Sequence, residues 1–141
     1  DCAPLWGTVE AMLDTTKDIH VIRDATRGGV GTVLYEIAGQ SHVGIHLDSQ
    51  AIPVDPAVRG VCGMLGLEPL YLACEGRLVI FAPKAVAADI VATLRQGKYS
   101  KDAAIIGEVT ADQPGRVIMR TEIGAETLLP PPGGELLPRI C

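Results

Sequence analysis

Three stretches of this sequence carry side chains suited to chemistry. The first is Asp24-Ala25-Thr26-Arg27-Gly28-Gly29, where an apolar strand-like run passes through a glycine pair into a helix-like run. Glycines let a backbone approach a ligand, and the first N–H groups of a helix are unpaired donors. Together with the helix dipole they favour an anion such as phosphate. Arg27 is placed to pair with a phosphate oxygen, and Asp24 to help hold a divalent cation or fix the loop. The same residues also fit an ordinary strand–helix turn with Thr26 as N-cap, and the P-loop pattern GxxxxGK[ST] is absent.

The second stretch is Glu75 in Ala73-Cys74-Glu75-Gly76-Arg77-Leu78, a carboxylate between two apolar segments. Held in a cleft, it would gain a raised pKa and serve as a general base. In an open hairpin or bulge it would be solvated and paired with Arg77. The third is the carboxy terminus, Pro130-Pro131-Pro132-Gly133-Gly134-Glu135-Leu136-Leu137-Pro138-Arg139-Ile140-Cys141. Proline withholds the N–H that helix and sheet require and the glycine pair adds backbone freedom, so Cys141 is expected on a flexible arm. Twelve extended residues reach roughly 40 Å. A free thiol with a pKa of roughly 8.5 is mostly protonated at pH 7. Arg139 and the terminal carboxylate oppose each other, so Cys141 needs a partner group or an activated electrophile. His20, His42 and His46 are too scattered to suggest a metal site.

The elements that must position these groups follow from periodicity. Leu5, Val9, Met12 and Leu13 predict a helix over 5–17, and His20–Ala25 reads as a short buried strand. Val30, Val33, Leu34, Ile37 and Ala38 trace one face of a second helix, with Gly39 as its stop. Val43, Ile45 and Leu47 alternate as in a half-buried strand. Asp55 and Pro56 read as N-cap and first residue of a third helix that ends at Gly66. Residues on both sides of 74–76 read as strand, 83–96 as helix, and 103–110, 115–121 and 125–129 as three more strands. The expected fold class is α+β: a two-layer α/β sandwich with a mixed sheet. The expected domain spans 1–129, with 1–18 a leading helix, and a flexible tail covers 130–141.

The 141 residues suit one domain, and aromatics make up only 4%, so its core must be aliphatic. A net charge of −5 with no Lys/Arg cluster argues against nucleic acid or an anionic lipid surface as partner. No apolar run approaches the ~20 residues of a membrane span. Cys2, Cys62, Cys74 and Cys141 show no metal-ligand spacing. Cys62 and Cys74 lie among apolar neighbours and read as buried thiols rather than a disulfide, which points to the cytoplasm. The chain begins Asp-Cys-Ala-Pro without methionine, so either processing or, as the favoured expectation, an excised fragment accounts for its start.

Taken together, DCAPL, HVIRDATRGGVG, SHVGI, IPV, GMLGLEPLYLACEGRL, IIGEV and a terminal GELLPRIC resemble the HypE family of hydrogenase maturation factors. The resemblance runs over essentially all 141 residues and corresponds to the carboxy-terminal part of that family's chain. PRIC is its most specific element. RDxTRGG and EGR alone indicate the wider superfamily of aminoimidazole ribonucleotide synthetase, selenophosphate synthetase and thiamine monophosphate kinase. The resemblance implies a PurM C-terminal-domain-like fold and an ATP-dependent carbamoyl dehydratase. In such an enzyme a HypF-type carbamoyltransferase loads the terminal thiol with a carboxamide. Dehydration gives a thiocyanate, and its cyanide passes to iron on a HypC–HypD complex. By residue-level carry-over Cys141 is the covalent carrier and Glu75 the base. Asp24, Thr26, Arg27, Gly28 and Gly29 would border the phosphates of ATP.

ATP and Mg2+ would be bound mainly by a domain lying before residue 1, and the full-length protein would be a homodimer. Cys74 departs from the superfamily, where Asn often precedes the Glu-Gly pair. Two other readings are a phosphoryl-transfer or synthetase relative with an incidental tail, and a non-enzymatic adaptor whose Pro-rich tail is a peptide ligand.

Overall fold

A computed structural model describes residues 2–133, and Gly134 to Cys141 lie outside the described residues. The order is α1 (Trp6–Thr15), β1 (Val21–Asp24), α2 (Gly29–Ser41), β2 (Gly44–Asp48) and α3 (Pro56–Leu65). A 3-10 turn, Pro69–Tyr71, comes next, followed by β3 (Leu78–Phe81), α4 (Lys84–Leu94), β4 (Gly107–Thr110), β5 (Val117–Arg120) and β6 (Glu126–Leu128). The strands form two sheets. One is the antiparallel ribbon β1–β3, and the other is four-stranded in the order β4-β2-β5-β6. In the larger sheet β2 and β5 run parallel, while β2–β4 and β5–β6 are antiparallel, so the sheet is mixed as expected.

The ribbon is apolar on both faces, and its side-chain period of two divides two cores. Ile22 and Ile80, directly opposite each other, face Met12 of α1 and Ile90 and Leu94 of α4. Val21, Val79 and Phe81 face the main core. There the α2 stripe Val30, Val33, Leu34, Ile37 and Ala38 packs against Ile45 and Leu47 of β2, Val117 of β5, and Leu129. The positions i, i+3, i+4, i+7 and i+8 cover one helix face, which is why periodicity located it.

Four local expectations are corrected. Gly39 does not stop α2: it lies on the exposed face, and burial of Ile37 and Ala38 outweighs its poor helix propensity. The helix continues to Ser41, where His42 in the left-handed conformation (φ 53°) caps it. The segment before Cys74 is not a strand. Pro69 lacks the N–H a ladder needs, the Glu68 carboxylate accepts from the Leu70 N–H at 3.2 Å, and Leu70 is buried in the main core. The strand read over 103–110 shortens to β4. Cys62 is buried as read, but Cys74 is half-buried, and neither is in a disulfide. The third helix follows its sequence signals: Asp55 Oδ1 accepts from the Ala57 N–H at 2.8 Å, Pro56 is first in the helix, and Gly66 caps the end.

Candidate functional site

The β1–β3 ladder brings the two internal stretches together. Beyond the last strand pair, Asp24 with Leu78, the Ala25 N–H donates to the Arg77 carbonyl at 3.1 Å. The Cys74 N–H donates back to the Ala25 carbonyl at 3.3 Å. Glu75 and Gly76 form the turn between those two bonds, so the carboxylate loop is fastened to the residue between Asp24 and Thr26. Ala25 is fully buried, while Asp24, Arg27, Glu75 and Arg77 are all exposed. Among the described residues none of these four forms an ion pair. The expected Glu75–Arg77 pair is therefore not made, and the carboxylate stands on an open turn rather than in a cleft within this domain.

Thr26 is not the N-cap of α2. The Gly29 N–H donates to the Thr26 carbonyl at 3.3 Å, closing a β-turn in which Gly28 adopts φ 69° and ψ 9°. Those angles match the third position of a type II turn, which glycine fills without strain. Gly28 is the cap residue, and no side chain satisfies the helix end. The other first-turn N–H groups have no intrahelical acceptor, which keeps an anion-binding role open to this loop.

Gly29 and Gly31 also have an internal reason. A Cβ on Gly29 would lie 2.6 Å from the Leu72 carbonyl oxygen, and one on Gly31 2.5 Å from the Tyr71 ring. Gly29, which sequence reasoning assigned to a ligand, and Gly31, which it did not, thus let the 3-10 turn press against α2. Arg27 and the helix start are the groups on this loop whose chemistry suits an anion.

The residue that sequence reasoning missed is Tyr71. Its ring lies on Gly31, its backbone leads directly to Cys74 and Glu75, and its hydroxyl donates to the Pro130 carbonyl. Tyr35 of α2 donates in the same way to the carbonyl of Leu129. The root of the carboxy-terminal segment is therefore attached to Tyr71, four residues before Glu75 in the chain. A signal existed: tyrosine hydroxyls packed near a core seek a partner, and a chain with three tyrosines has few to place.

Two cavities lie away from these groups. One of about 350 Å3 lies between α1 and α4, with Thr8, Ala11 and Thr93 in its wall. The other, about 220 Å3, lies between α3 and the 3-10 turn, with Cys62, Pro69 and Met119. Neither is lined by Asp24, Thr26, Arg27 or Glu75. Among the described residues no three His, Cys, Asp or Glu side chains are grouped to hold a metal ion, so Asp24 alone does not make a Mg2+ site. Among the described residues no helix is long and apolar enough to cross a membrane.

Comparison with known proteins agrees with this architecture. The chain is similar to carbamoyl dehydratase HypE of Azotobacter vinelandii, 44% identical over 141 residues that make up 100% of this chain and 41% of that one. The crystal structure of hydrogenase maturation protein HypE superposes with a TM-score of 0.91 at 46% identity, covering 99% of this chain and 45% of that one. HypE in a HypE–HypF complex gives 0.89 at 37% identity, with 94% and 43% covered. HypE in complex with ATP gives 0.86 at 44%, with 96% and 42% covered. The chain thus spans about two fifths of the length of the curated relative. Residues 3–120 match the family model described as AIR synthase related protein, C-terminal domain, and the chain belongs to that family.

Proposed function

We propose that residues 1–129 form the C-terminal domain of an ATP-dependent carbamoyl dehydratase of hydrogenase maturation, and that residues 130–141 are the arm bearing its carrier thiol. The observation that carries this reading is the placement of the arm's root: the Pro130 carbonyl is bonded by Tyr71, four residues before Glu75. Similarity to carbamoyl dehydratases over the whole chain supports it.

In this reading Cys141 carries a carboxamide as a thiocarbamate. Carboxamide oxygen is a poor leaving group, and ATP supplies the phosphoryl group with which that oxygen can depart as phosphate. Phosphorylation of that oxygen releases one of the two protons of the amide nitrogen; Glu75 accepts the second as the C–O bond breaks and phosphate leaves, and the carbon is left triply bonded to nitrogen as a protein thiocyanate. An exposed turn suits this role when a second domain closes over it and excludes water. Arg27 and the start of α2 border the phosphates, with Asp24, Thr26, Gly28 and Gly29 shaping the loop. ATP and Mg2+ are held mainly by the domain outside this chain. Loading comes from a HypF-type carbamoyltransferase, consistent with the HypE–HypF complex among the similar structures. Cyanide leaves to iron on a HypC–HypD complex, and the full-length protein works as a homodimer in the cytoplasm.

Mass spectrometry tests the carrier. Full-length protein incubated with carbamoyl phosphate, ATP and the carbamoyltransferase should gain about 43 Da and then hold about 25 Da, both on the peptide that ends in Cys141. Cys141→Ser should show neither. An adduct elsewhere, or unchanged thiocyanate yield from that variant, overturns the assignment.

A further inference from the structure

The two tyrosine hydroxyls make more than an ordinary end to a strand. After β6 the Leu129 N–H donates to the Val117 carbonyl at 2.9 Å, the last ladder-like bond among the described residues. Pro130, Pro131 and Pro132 follow, and none has an N–H. Backbone pairing has to stop there, and the carbonyls of Leu129 and Pro130 need other donors. Tyr35 reaches the first from α2, and Tyr71 reaches the second from the 3-10 turn. Leu129 is fully buried in the main core, so the point of departure is fixed by packing as well. Burial raises the pKa of both tyrosines, to about 12 for Tyr71, where Tyr35 and Glu68 add to the effect. At Tyr35 the rise is partly offset by the Val117 backbone and by Arg116. The hydroxyls therefore remain protonated donors at physiological pH.

We propose that Tyr35 and Tyr71 are positioning residues: they hold successive carbonyls at the base of the arm so that the Cys141 segment departs from a fixed point tied to the residue four positions before Glu75. The inference rests on the functional reading above for what the arm delivers, but its geometry stands apart from that chemistry. Three prolines extend about 3 Å each as a stiff spacer. The eight residues after Gly133 span at most about 26 Å. A fixed base thus confines the thiol to a small volume, at an effective concentration in the millimolar range. Releasing the base as far back as β6 lengthens the tether by about two residues and lowers that concentration by less than about twofold, given its fall with tether length. Tyr71 is the more informative of the pair, because its ring also packs against Gly31 at the start of α2.

The experiment uses the full-length protein with its other cysteines replaced and nitroxides at Cys141 and at Ala73→Cys, an exposed site next to the turn. Pulsed dipolar spectroscopy should give a distance distribution concentrated below about 30 Å in the parent. Tyr35→Phe with Tyr71→Phe, which keeps both rings, should broaden it toward longer distances. A second variant, with Gly-Gly inserted between Pro132 and Gly133, adds the same two residues of length with both tyrosines in place and should broaden it to a similar extent. Identical distributions in the parent and the double Phe variant overturn the proposal.

With unlabelled proteins, single-turnover conversion of the carbamoyl thiol should slow measurably, by less than about twofold, in the double Phe variant. Loading by the carbamoyltransferase, which reaches the arm from outside, should be unchanged. Equal slowing of both steps would mark a general structural defect and overturn the positioning role. A parent that forms no thiocyanate overturns the functional reading instead, and the distance distributions still decide the fate of the base.

Discussion

At the residue scale, Glu75 is the sharpest point of the site. It sits on a turn fastened through Cys74 and Arg77 to Ala25, with its side chain exposed and in no ion pair among the described residues. A carboxylate so placed is a base only when a substrate is brought to it. Glu75→Gln in the full-length protein keeps shape and volume but removes the proton acceptor. Carbamoyl loading on Cys141 should proceed, and thiocyanate should fall by at least about 100-fold, the low end for losing a general base. Intact mass would then show the adduct of about 43 Da accumulating without the one of about 25 Da. Normal thiocyanate yield would reject the base. The Asp24–Gly29 loop offers less than its glycines suggest, because Gly29 is needed for packing by the protein itself.

At the scale of elements, the contact of α2 with the 3-10 turn governs the site. Gly31→Ala would set a methyl group 2.5 Å from the Tyr71 ring, and a ring trapped between a helix and the arm's base has little room to retreat. Overpacking of this kind costs about 1–3 kcal/mol, measurable as a lower urea midpoint. Gly39→Ala, on the exposed face of the same helix with nothing within 4 Å, should leave stability level or raise it by up to about 1 kcal/mol.

These two positions also show how far the sequence could be read. The stripe of α2, the Asp55-Pro56 start and Gly66 end of α3, and the alternation in β2 were legible because each is a local pattern. The 3-10 turn was not, since an apolar run around Pro69 looks like strand until its burial against Gly29 is known. The partnership of Tyr71 with Pro130 was invisible for a similar reason. It joins residues 59 positions apart, and no local period encodes it. The motif residues Asp24 to Gly29 and Glu75 were found by type, but their adjacency required the β1–β3 register.

At the scale of the molecule, the chain is a domain whose site faces outward. Its exposed Asp24, Arg27, Glu75 and Arg77 line no enclosed cavity described above, and the described residues group no metal ligands. A nucleotide needs donors and a cation that these residues do not assemble by themselves. The 141-residue chain should therefore fold yet release no ADP above background, whereas on the proposed reading the full-length protein should release it when carbamoylated. A coupled-enzyme assay checks this, and steady turnover by the 141-residue chain, free of contaminating ATPase, would contradict it.

The triple proline has one further consequence, for self-association. β6 is an edge strand of three residues, Glu126 to Leu128, and an edge normally offers a row of unpaired groups to any passing strand. Here the row is short, begins with a charge, and runs into residues that have no amide proton to give. The same stretch that launches the arm denies a neighbouring chain a template, so a protein that carries an extended segment at its sheet edge is guarded against building a fibre from it.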